Sequence, residues 1–546
     1  MSASKSRRVV VELGVALFFV ALAGLALRPV LADFSGSTLV GPDPLIDLWT
    51  VDWLSGHLLA PGSLYGGNIF APAPHAVVYS DLSLGTVVLA APFRLLVHDP
   101  VPLYNLSLVI ALAFGGWSFC LLGRRLTGSI PGGLLAGTLA AFSSHQMFHV
   151  YHLNLLTIGW LALLVVGLDL VRSGEPGIGT TVLLGTSFVL SAESSGYYAV
   201  AAGLMGLLFV ALHAREFVAT RRRVLVILGS ALLACALFAP YFAAYREAAS
   251  RDGFRRPVGM SEHMAFHPRD DLSSVSYFDR ALLGSSGERL FPGFLTLALA
   301  GLALARRAGR AAFPAWGAAL FFVCALGPRL TLGGFSVPLP YRALVALPGL
   351  SAMRHPYTFA AIGVFFLALL AAAGLATLSS RPWLQALLVG LAIAETAAPP
   401  PRVGPLPAGI PPIYEVAFQR GSGVVLEIPP FDPLTLLYAA RHQRPVANGA
   451  GAFAPRKSLL LERTIENHWL TGIPEAVDDS PPRDAIVEGG EIRTLIVPSG
   501  RKPSLRPLAR ALDASGSFAL IGETPDGDRA YSVRASADPG ETRKEP

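Results

Sequence analysis

Residues 9–53 read VVVELGVALFFVALAGLALRPVLADFSGSTLVGPDPLIDLWTVDW. The apolar run at 9–32 is long enough to cross a bilayer, which requires about 20 residues in a helix. A secretory signal peptide has a shorter apolar core and ends at a small-residue cleavage site, which residues 28–33 resemble only weakly. We therefore predict an uncleaved first spanning helix, followed by a loop that carries Asp43, Asp47 and Asp52.

The composition divides the chain at about residue 400. Of the 147 residues from 400 to 546, 35 are charged, against 45 of the first 399. A soluble domain carries about 25% charge, so only the C-terminal part matches a soluble protein. The mean hydropathy is +0.52 and the net charge +6, with much of the arginine of the first part in short clusters between apolar runs. These features exclude a cytosolic enzyme, a nucleic-acid binder and a disordered scaffold, so no nucleic-acid partner is expected.

The first 398 residues are predicted to form a polytopic membrane domain of about 11–12 helices. The candidate spans are 9–31, 82–97, 102–122, 130–143, 150–171, 178–192, 195–213, 224–245, 290–305, 311–327, 357–379 and 383–398. Basic clusters at short loops mark the cytoplasmic side. When crossings are counted from a cytoplasmic Arg124, every later loop falls on the side that its charges indicate. Before Arg124 there is one conflict. The outward loop 32–81 and a cytoplasmic Arg124 require an odd number of crossings between them, but two apolar runs lie there. Either one run, such as the shorter 82–97, is partial or re-entrant, or Arg124 lies outside.

The crossing count also places the longest connections and the C-terminus outside the cytoplasm. Loops 32–81 and 246–289 are longer than turns require, and such loops are usually functional. Residues 399–412 are a Pro-rich linker. Residues 413–546 are predicted to form a soluble α/β or α+β domain, with strands at 423–429, 492–498, 518–521 and 530–534 and helices at 434–441 and 506–514. All three cysteines lie in apolar runs and indicate buried packing.

The first outward loop carries the strongest chemical pattern. Asp43 and Asp47 are four residues apart and share a face if the segment is helical. Carboxylates beside Trp49 and Trp53 at a membrane surface suit binding of a divalent metal or activation of a hydroxyl nucleophile. The alternative is a solvated interfacial helix with an aromatic belt.

Short phrases along residues 9 to about 450 carry a family resemblance. They are Asp43…Trp49, Ile69-Phe-Ala-Pro72, Tyr79-Ser-Asp81, Pro102-Leu-Tyr-Asn105, Arg124-Arg-Leu-Thr-Gly128, Ala141-Phe-Ser143, His152-Leu-Asn-Leu-Leu-Thr-Ile-Gly-Trp160, Ser194-Ser-Gly-Tyr-Tyr198, Glu288-Arg-Leu-Phe-Pro-Gly293, Pro338-Leu-Pro-Tyr341 and Pro348-Gly-Leu-Ser-Ala-Met-Arg354. With an acidic first loop after one N-terminal span, the chain resembles the GT-C class of integral-membrane glycosyltransferases. It is most similar to uncharacterised bacterial multi-pass proteins of YfhO-like type.

The resemblance implies a polyprenyl-phosphate sugar donor and a role for the first-loop acid. In the GT-C class this acid, here Asp43, binds a metal such as Mg²⁺ or Mn²⁺ or acts as base toward the acceptor, and Asp47 is the neighbouring candidate. The class often has another acid in a later outward loop, but residues 143–152 contain no carboxylate. This departure leaves a metal-free version open, in which basic or His groups hold the lipid phosphate.

Further candidates for substrate binding lie at the predicted outer surface. His145, His149 and His152 are spaced to share one helix face and could contact a phosphate, a sugar or a metal, or could simply form an interfacial polar face. Asp81 lies in one of the shared phrases. Glu193, with Tyr197 nearby, interrupts two apolar runs, and an acid near membrane depth suggests a functional site, although it can also solvate a turn.

Arg354 precedes Pro356 at the outer start of a spanning run. It is a candidate contact for the lipid phosphate, and the alternative is an arginine that reaches the lipid headgroups.

These observations predict a membrane glycosyltransferase. It would transfer a sugar from a polyprenyl-phosphate-linked donor to an extracytoplasmic glycan or protein, in contact with membrane lipids. The predicted location is the bacterial inner membrane, with the C-terminal domain in the periplasm. The alternatives are a non-catalytic relative or transporter that binds or moves a lipid-linked glycan, and a membrane anchor for the C-terminal domain.

Overall fold

The computed structural model describes residues 3–254, 290–308, 311–332, 335–347, 350, 353–378, 381–471 and 477–534. Most of the predicted outward loop 246–289 lies outside these residues. The chain forms two compact units. The helical unit comprises Met1–Asp47, Asp81–Arg246 and Phe254–Gly404, and the sheet unit comprises Leu48–Ser80, Glu247–Gly253 and Pro405–Pro546.

Apolar helices dominate the first 400 residues. In chain order the α-helices are Ala3–Ala26, Arg28–Ala32, Pro42–His57, Leu84–Ala90, Pro100–Thr127, Ile130–Ala141, Ser144–Phe148, Leu153–Leu156, Gly159–Arg172, Ile178–Ala192, Gly196–Leu212, Ala214–Val218, Arg221–Asp252, Phe294–Ala305, Ala312–Ala325, Pro340–Val345, Tyr357–Thr377 and Pro382–Thr396. Short 3₁₀ helices span Ala76–Tyr79 and Ala91–Leu95, and short strands span Ser37–Leu39, Arg329–Leu332, Phe335–Pro338 and Val403–Pro405. Among the described residues, five helices are long and apolar enough to cross a membrane, and six shorter ones are also apolar. The helical polytopic fold class is thus confirmed.

Burial shows which helices form the centre of the helical unit. In the helix Tyr357–Thr377, 89% of an apolar stretch of 18 residues is buried. The corresponding share is 17% in Val9–Ala26 and in Arg221–Asp252. Apolar side chains that remain exposed on a spanning helix face lipid, so the last two helices lie at the periphery. Gly374 allows the central helix to approach its neighbour, because a Cβ there would lie 1.9 Å from the Leu299 carbonyl oxygen. Such small residues let membrane helices pack closely.

The predicted cytoplasmic markers lie together at one end of the helical unit. Arg124 Nη1 lies 2.8 Å from Glu12 Oε1, and Arg125 Nε lies 2.8 Å from Asp169 Oδ2. Arg172 Nη2 lies 2.8 Å from Oδ1 of the same carboxylate. These pairs join the ends of several helices that the charge pattern assigns to the same side, which supports the crossing count.

The segment Leu84–Leu95 has both ends beside segments that are predicted to lie outside. At its start, the Gly85 N–H donates to Ser194 Oγ (2.9 Å) in the break between two helices. The next helix begins at Pro100, and the Asn105 side chain donates to the Ser37 carbonyl oxygen (2.8 Å) in the first outward loop. The segment therefore enters and leaves on one side. This geometry favours the re-entrant interpretation and an odd number of crossings before Arg124.

The sheet unit contains a four-stranded mixed sheet. Its strands Val424–Glu427, Ile492–Val497, Arg529–Val533 and Phe518–Glu523 are adjacent in that order, the first pair parallel and the others antiparallel. The helices of this region are Pro412–Arg420, Leu434–His442, Arg456–Ile465, Pro481–Gly489 and Arg506–Asp513, with a π-helix at Glu466–Leu470 and a 3₁₀ turn at Pro503–Leu505. The core includes Leu495, Leu512 and Tyr531. The predicted small sheet-containing C-terminal domain is confirmed.

Candidate functional site

The first-loop acids lie at the start of the helix Pro42–His57. Gly41 adopts a positive φ of 124°, and Pro42 occupies the first helical position, which proline favours. Asp43 is in the first turn, where the helix dipole favours a negative charge, and Asp47 follows one turn later. The predicted helical spacing of the two carboxyls is present in the structure, and they differ in burial: Asp43 is exposed, whereas Asp47 is only 7% exposed.

Asp43 pairs with His152 from a distant part of the chain. Asp43 Oδ2 and His152 Nε2 are 3.5 Å apart. The hydrogen bond with His152 lowers the pKa of Asp43 below its ordinary value, against the effect of burial, and the positive charges of His152 and Arg354 lower it further. Asp43 is therefore an ionised, solvent-accessible carboxylate within the electrostatic field of Arg354.

Asp47 has the opposite environment. Its Oδ2 accepts a hydrogen bond from the Leu153 N–H at 2.8 Å. Burial nevertheless raises the pKa of Asp47 from 3.8 to about 7, because a carboxylate loses hydration when it is buried. At neutral pH the side chain is thus divided between its protonated and ionised forms.

Asp81 is held by Asn154, the residue that follows Leu153. Asn154 Nδ2 donates to Asp81 Oδ2 at 2.6 Å, and burial raises the pKa of Asp81 from 3.8 to about 6. Three consecutive residues, 152–154, therefore each bind one acid: an imidazole binds Asp43, a backbone N–H binds Asp47 and a side-chain amide binds Asp81. This arrangement is invisible in the sequence, because a backbone N–H and an asparagine carry no pattern that identifies their partners.

The three histidines are adjacent, but they are not on one helix as the sequence predicts. The helix Ser144–Phe148 ends before His149, and the next helix begins at Leu153 after an extended His152 (φ −124°, ψ 93°). A helix start leaves free N–H groups, and Asp47 accepts one of them from Leu153, which stabilises this break. The ring centroids of His145 and His149 are 4.3 Å apart, and those of His149 and His152 are 5.3 Å apart.

Burial determines what His149 can do. It lowers the pKa of His149 from 6.5 to about 3, with smaller contributions from His152 and His355. His149 is therefore neutral at physiological pH and suits a hydrogen bond to a hydroxyl better than an ion pair with a phosphate. Its ring also stacks with Tyr357, with centroids 6.2 Å apart and planes at 18°.

Tyr197 fixes the segment that carries Arg354. The Tyr197 hydroxyl accepts hydrogen bonds from the backbone N–H groups of Arg354 (2.9 Å) and His355 (2.8 Å). Arg354 Nε donates to His355 Nε2 at 2.8 Å, and Pro356 caps the central helix Tyr357–Thr377. Tyr197 is thus placed to position Arg354, a role that its tyrosine-rich surroundings in the sequence do not reveal.

Glu193 is buried, 2% exposed, in the break between Ile178–Ala192 and Gly196–Leu212. The charge of Arg354 lowers the pKa of Asp43, so the structure brings these two predicted residues into electrostatic range. The substrate roles of all these side chains stay predictions.

The metal prediction can be compared with the donor set. Within the described ranges, no group of three or more His, Cys, Asp or Glu side chains is arranged to hold a metal ion. Asp43 is paired with a histidine, and Asp47 and Asp81 are each hydrogen-bonded by a different residue. Each of the three acids thus has its own protein partner, and metal dependence stays a prediction.

Comparisons with solved structures identify the class of fold. Arabinofuranosyltransferase AftD from Mycobacteria is 14% identical, with a TM-score of 0.55, and the match covers 96% of this chain and 40% of AftD. Lower TM-scores relate the chain to ArnT from Cupriavidus metallidurans bound to undecaprenyl phosphate (0.47, 13% identical, 98% of this chain and 99% of ArnT) and to the oligosaccharyltransferase AglB from Archaeoglobus fulgidus (0.40, 11% identical, 97% of this chain and 75% of AglB).

No protein-family model matches the sequence, and no curated protein does. The likeness to AftD confirms that the chain has the fold of the GT-C-type glycosyltransferases. The chain spans about 40% of the length of AftD. The YfhO-like resemblance stays a prediction.

Proposed function

We propose that the protein is a membrane glycosyltransferase that uses a polyprenyl-phosphate-linked sugar donor and an acceptor glycan or protein outside the cytoplasm. The observation that carries the proposal is the exposed carboxylate of Asp43, paired with His152 and within the field of Arg354. The GT-C-type fold supports it, since AftD, which shares the fold, is named as an arabinofuranosyltransferase.

The arrangement suits transfer by direct displacement. A hydroxyl of the acceptor attacks the anomeric carbon of the sugar, a new C–O bond forms, and the bond between that carbon and the phosphate oxygen breaks. Asp43 takes the proton of the attacking hydroxyl, which is the role of a general base. The lipid phosphate leaves with the bonding electron pair, and its negative charge is stabilised by the Arg354 guanidinium and by the start of the helix Tyr357–Thr377.

The other side chains would position the reactants. His152 would orient Asp43 through their contact, because a catalytic base is commonly oriented by another group beside it. Neutral His149 suits a sugar hydroxyl, and the amide of Asn154 holds Asp81 in place. With these assignments, Asp43 accepts the proton of the attacking hydroxyl and Arg354 stabilises the leaving phosphate.

The test is transfer of a labelled sugar from polyprenyl-phosphate donors by the purified protein, measured with an extracted envelope fraction as acceptor. We expect Asp43→Asn to abolish transfer while folding and membrane insertion persist, because an exposed carboxylate contributes little to packing. Asp33→Asn is the matched control, since Asp33 is exposed in the predicted outward loop and its Oδ1 accepts the Gly36 N–H.

Two outcomes would redirect or overturn the proposal. Near wild-type turnover in Asp43→Asn together with a dead Asp47→Asn would assign the base to Asp47. Activity in both variants would contradict a first-loop carboxylate mechanism. Donor binding by the wild-type protein without any transfer would favour a non-catalytic carrier of lipid-linked glycans.

A further inference from the structure

The sheet unit contains a cavity that the transfer reaction does not use. Its volume is about 320 Å³, and it lies between the helix Pro412–Arg420 and the end of the helix Leu434–His442. This volume is at the lower end of the range found for small-molecule sites, about 300–1,000 Å³. The lining includes Tyr414, Glu415, Phe418, Gln419, His442 and Arg444.

Three aromatic rings form the apolar wall of the cavity. The centroids of Tyr414 and Phe418 are 5.8 Å apart, and His442 lies 5.1 Å from Tyr414 and 4.8 Å from Phe418. Tyr414 is buried, whereas Phe418 is half-buried and keeps part of its ring open to solvent. Flat apolar ring faces suit the C–H faces of a sugar ring, which has no charge and little flexibility.

A polar rim completes the cavity, and its charges balance. Gln419 Nε2 donates to Glu415 Oε1 at 2.9 Å, and both side chains are exposed. The Arg444 guanidinium lies over the Phe418 ring, 5.1 Å from its centroid, which holds its N–H groups at the cavity. One carboxylate and one guanidinium make the rim unsuitable for a purely anionic or purely cationic ligand and suitable for a neutral one with both donors and acceptors.

His442 is an uncharged member of the cavity wall. Its Nδ1 accepts a hydrogen bond from the Arg444 N–H at 3.0 Å, so the proton of the neutral ring is on Nε2. Burial lowers the pKa of His442 from 6.5 to about 4, so the ring is neutral at physiological pH. Within the part of the chain that the structure describes, this buried Nε2 has no hydrogen-bond partner. His442 therefore contributes a neutral ring to the wall of the cavity.

We propose that this cavity binds one saccharide ring of a neutral glycan. The inference goes beyond the transfer reaction and does not depend on it, because binding can be measured in a protein that lacks Asp43. The aromatic wall would hold the C–H face of the ring, while Glu415, Gln419 and Arg444 would exchange hydrogen bonds with its hydroxyl groups.

The test uses the full chain with Asp43→Asn, reconstituted in lipid nanodiscs, because the head groups of maltoside detergents are themselves saccharides. Binding of short arabinofuranosyl, mannosyl and glucosyl oligosaccharides is followed by saturation-transfer NMR and titration. Phe418→Leu keeps an apolar side chain but removes the flat ring, and Gln419→Ala changes an exposed side chain. Arg510→Ala, an exposed arginine on another helix of the same unit, is the matched control.

We expect at least one of these oligosaccharides to bind, and each cavity variant to weaken its affinity by about five- to tenfold, as the loss of one hydrogen bond or ring contact does. Arg510→Ala should bind as the parent does. Two results would overturn the inference: no binding of any of the oligosaccharides by the parent protein, or binding that Phe418→Leu and Gln419→Ala leave unchanged. The second result would place the glycan elsewhere in the molecule.

Discussion

The buried carboxyl of Asp47 should make the stability of the protein depend on pH. Burial raises its pKa from 3.8 to about 7, which corresponds to about 4 kcal/mol of additional free energy to ionise the group in the folded state. Below pH 4 the carboxyl is protonated in both the folded and the unfolded chain. Between pH 4 and 7 only the unfolded chain loses the proton, so the free energy of unfolding falls as the pH rises through this window.

Asp47→Asn isolates this effect. The asparagine amide oxygen can still accept the hydrogen bond from the Leu153 N–H, but the side chain cannot ionise. Between pH 5 and pH 8 we expect the wild-type protein to lose about 3 kcal/mol of unfolding free energy relative to Asp47→Asn. The measurement is denaturant-induced unfolding in mixed micelles, followed by circular dichroism at several pH values.

The control is Asp33→Asn, which removes an exposed acid of the same loop and should follow the wild-type curve. Parallel curves for wild type and Asp47→Asn across pH 5–8 would refute the reasoning, because they would show that Asp47 does not change its protonation between the folded and unfolded states in this range. A variant that is uniformly less stable would show only the loss of a favourable contact.

Three other predictions concern the donor site and the topology. Arg354→Lys should weaken donor binding by about tenfold, because lysine cannot form the two parallel hydrogen bonds of a guanidinium with a phosphate. The control is Arg342→Lys, which changes an exposed arginine. A dissociation constant equal to that of the control would make Arg354 an interfacial anchor. Asn154→Ala removes the amide that holds Asp81 and should lower kcat/KM by about tenfold in steady-state assays, whereas wild-type kinetics would make that bond irrelevant. A phosphatase fused to the C-terminus should be active, since this enzyme works only outside the cytoplasm, and fluorescence of a fused cytoplasmic reporter would contradict the topology.

The helices of the first 400 residues are predictable because a spanning helix must be apolar over most of its length. The runs at 102–122, 178–192 and 357–379 correspond to Pro100–Thr127, Ile178–Ala192 and Tyr357–Thr377. The run at 82–97 is apolar, but a 3₁₀ turn with Pro92 at its start divides it, and its geometry favours a re-entrant segment. Composition alone cannot show this, because a re-entrant segment and a span have the same side chains.

In the sheet unit, the four strands are predictable from short β-branched and apolar runs. The helices Pro412–Arg420, Arg456–Ile465 and Pro481–Gly489 are missed, because polar residues occupy much of each and the runs are too short for a clear helical period. Their apolar sides become recognisable only once the sheet that they cover is known.

The site is predictable in part, by residue type. An acid in the first loop, a histidine cluster and an arginine before a helix suggest their chemistry directly, whereas Leu153 and Asn154 act through a backbone N–H and an amide. These donors meet their acids only because segments about 70 to 110 residues apart in sequence are brought together. The break between the two short helices at 149–152 is likewise a consequence of this tertiary contact.

The different ionisation of the three acids reduces an electrostatic conflict in the proposed reaction. A lipid phosphate is an anion, and ionised carboxylates beside it oppose its binding. Burial raises the pKa of Asp47 to about 7, so this carboxyl is partly protonated at neutral pH, whereas Asp81, with a pKa of about 6, is mostly ionised there. The contact with His152 and the charge of Arg354 lower the pKa of Asp43, which stays ionised. The site can therefore keep a carboxylate base for the acceptor hydroxyl and still bind an anionic leaving group a short distance away.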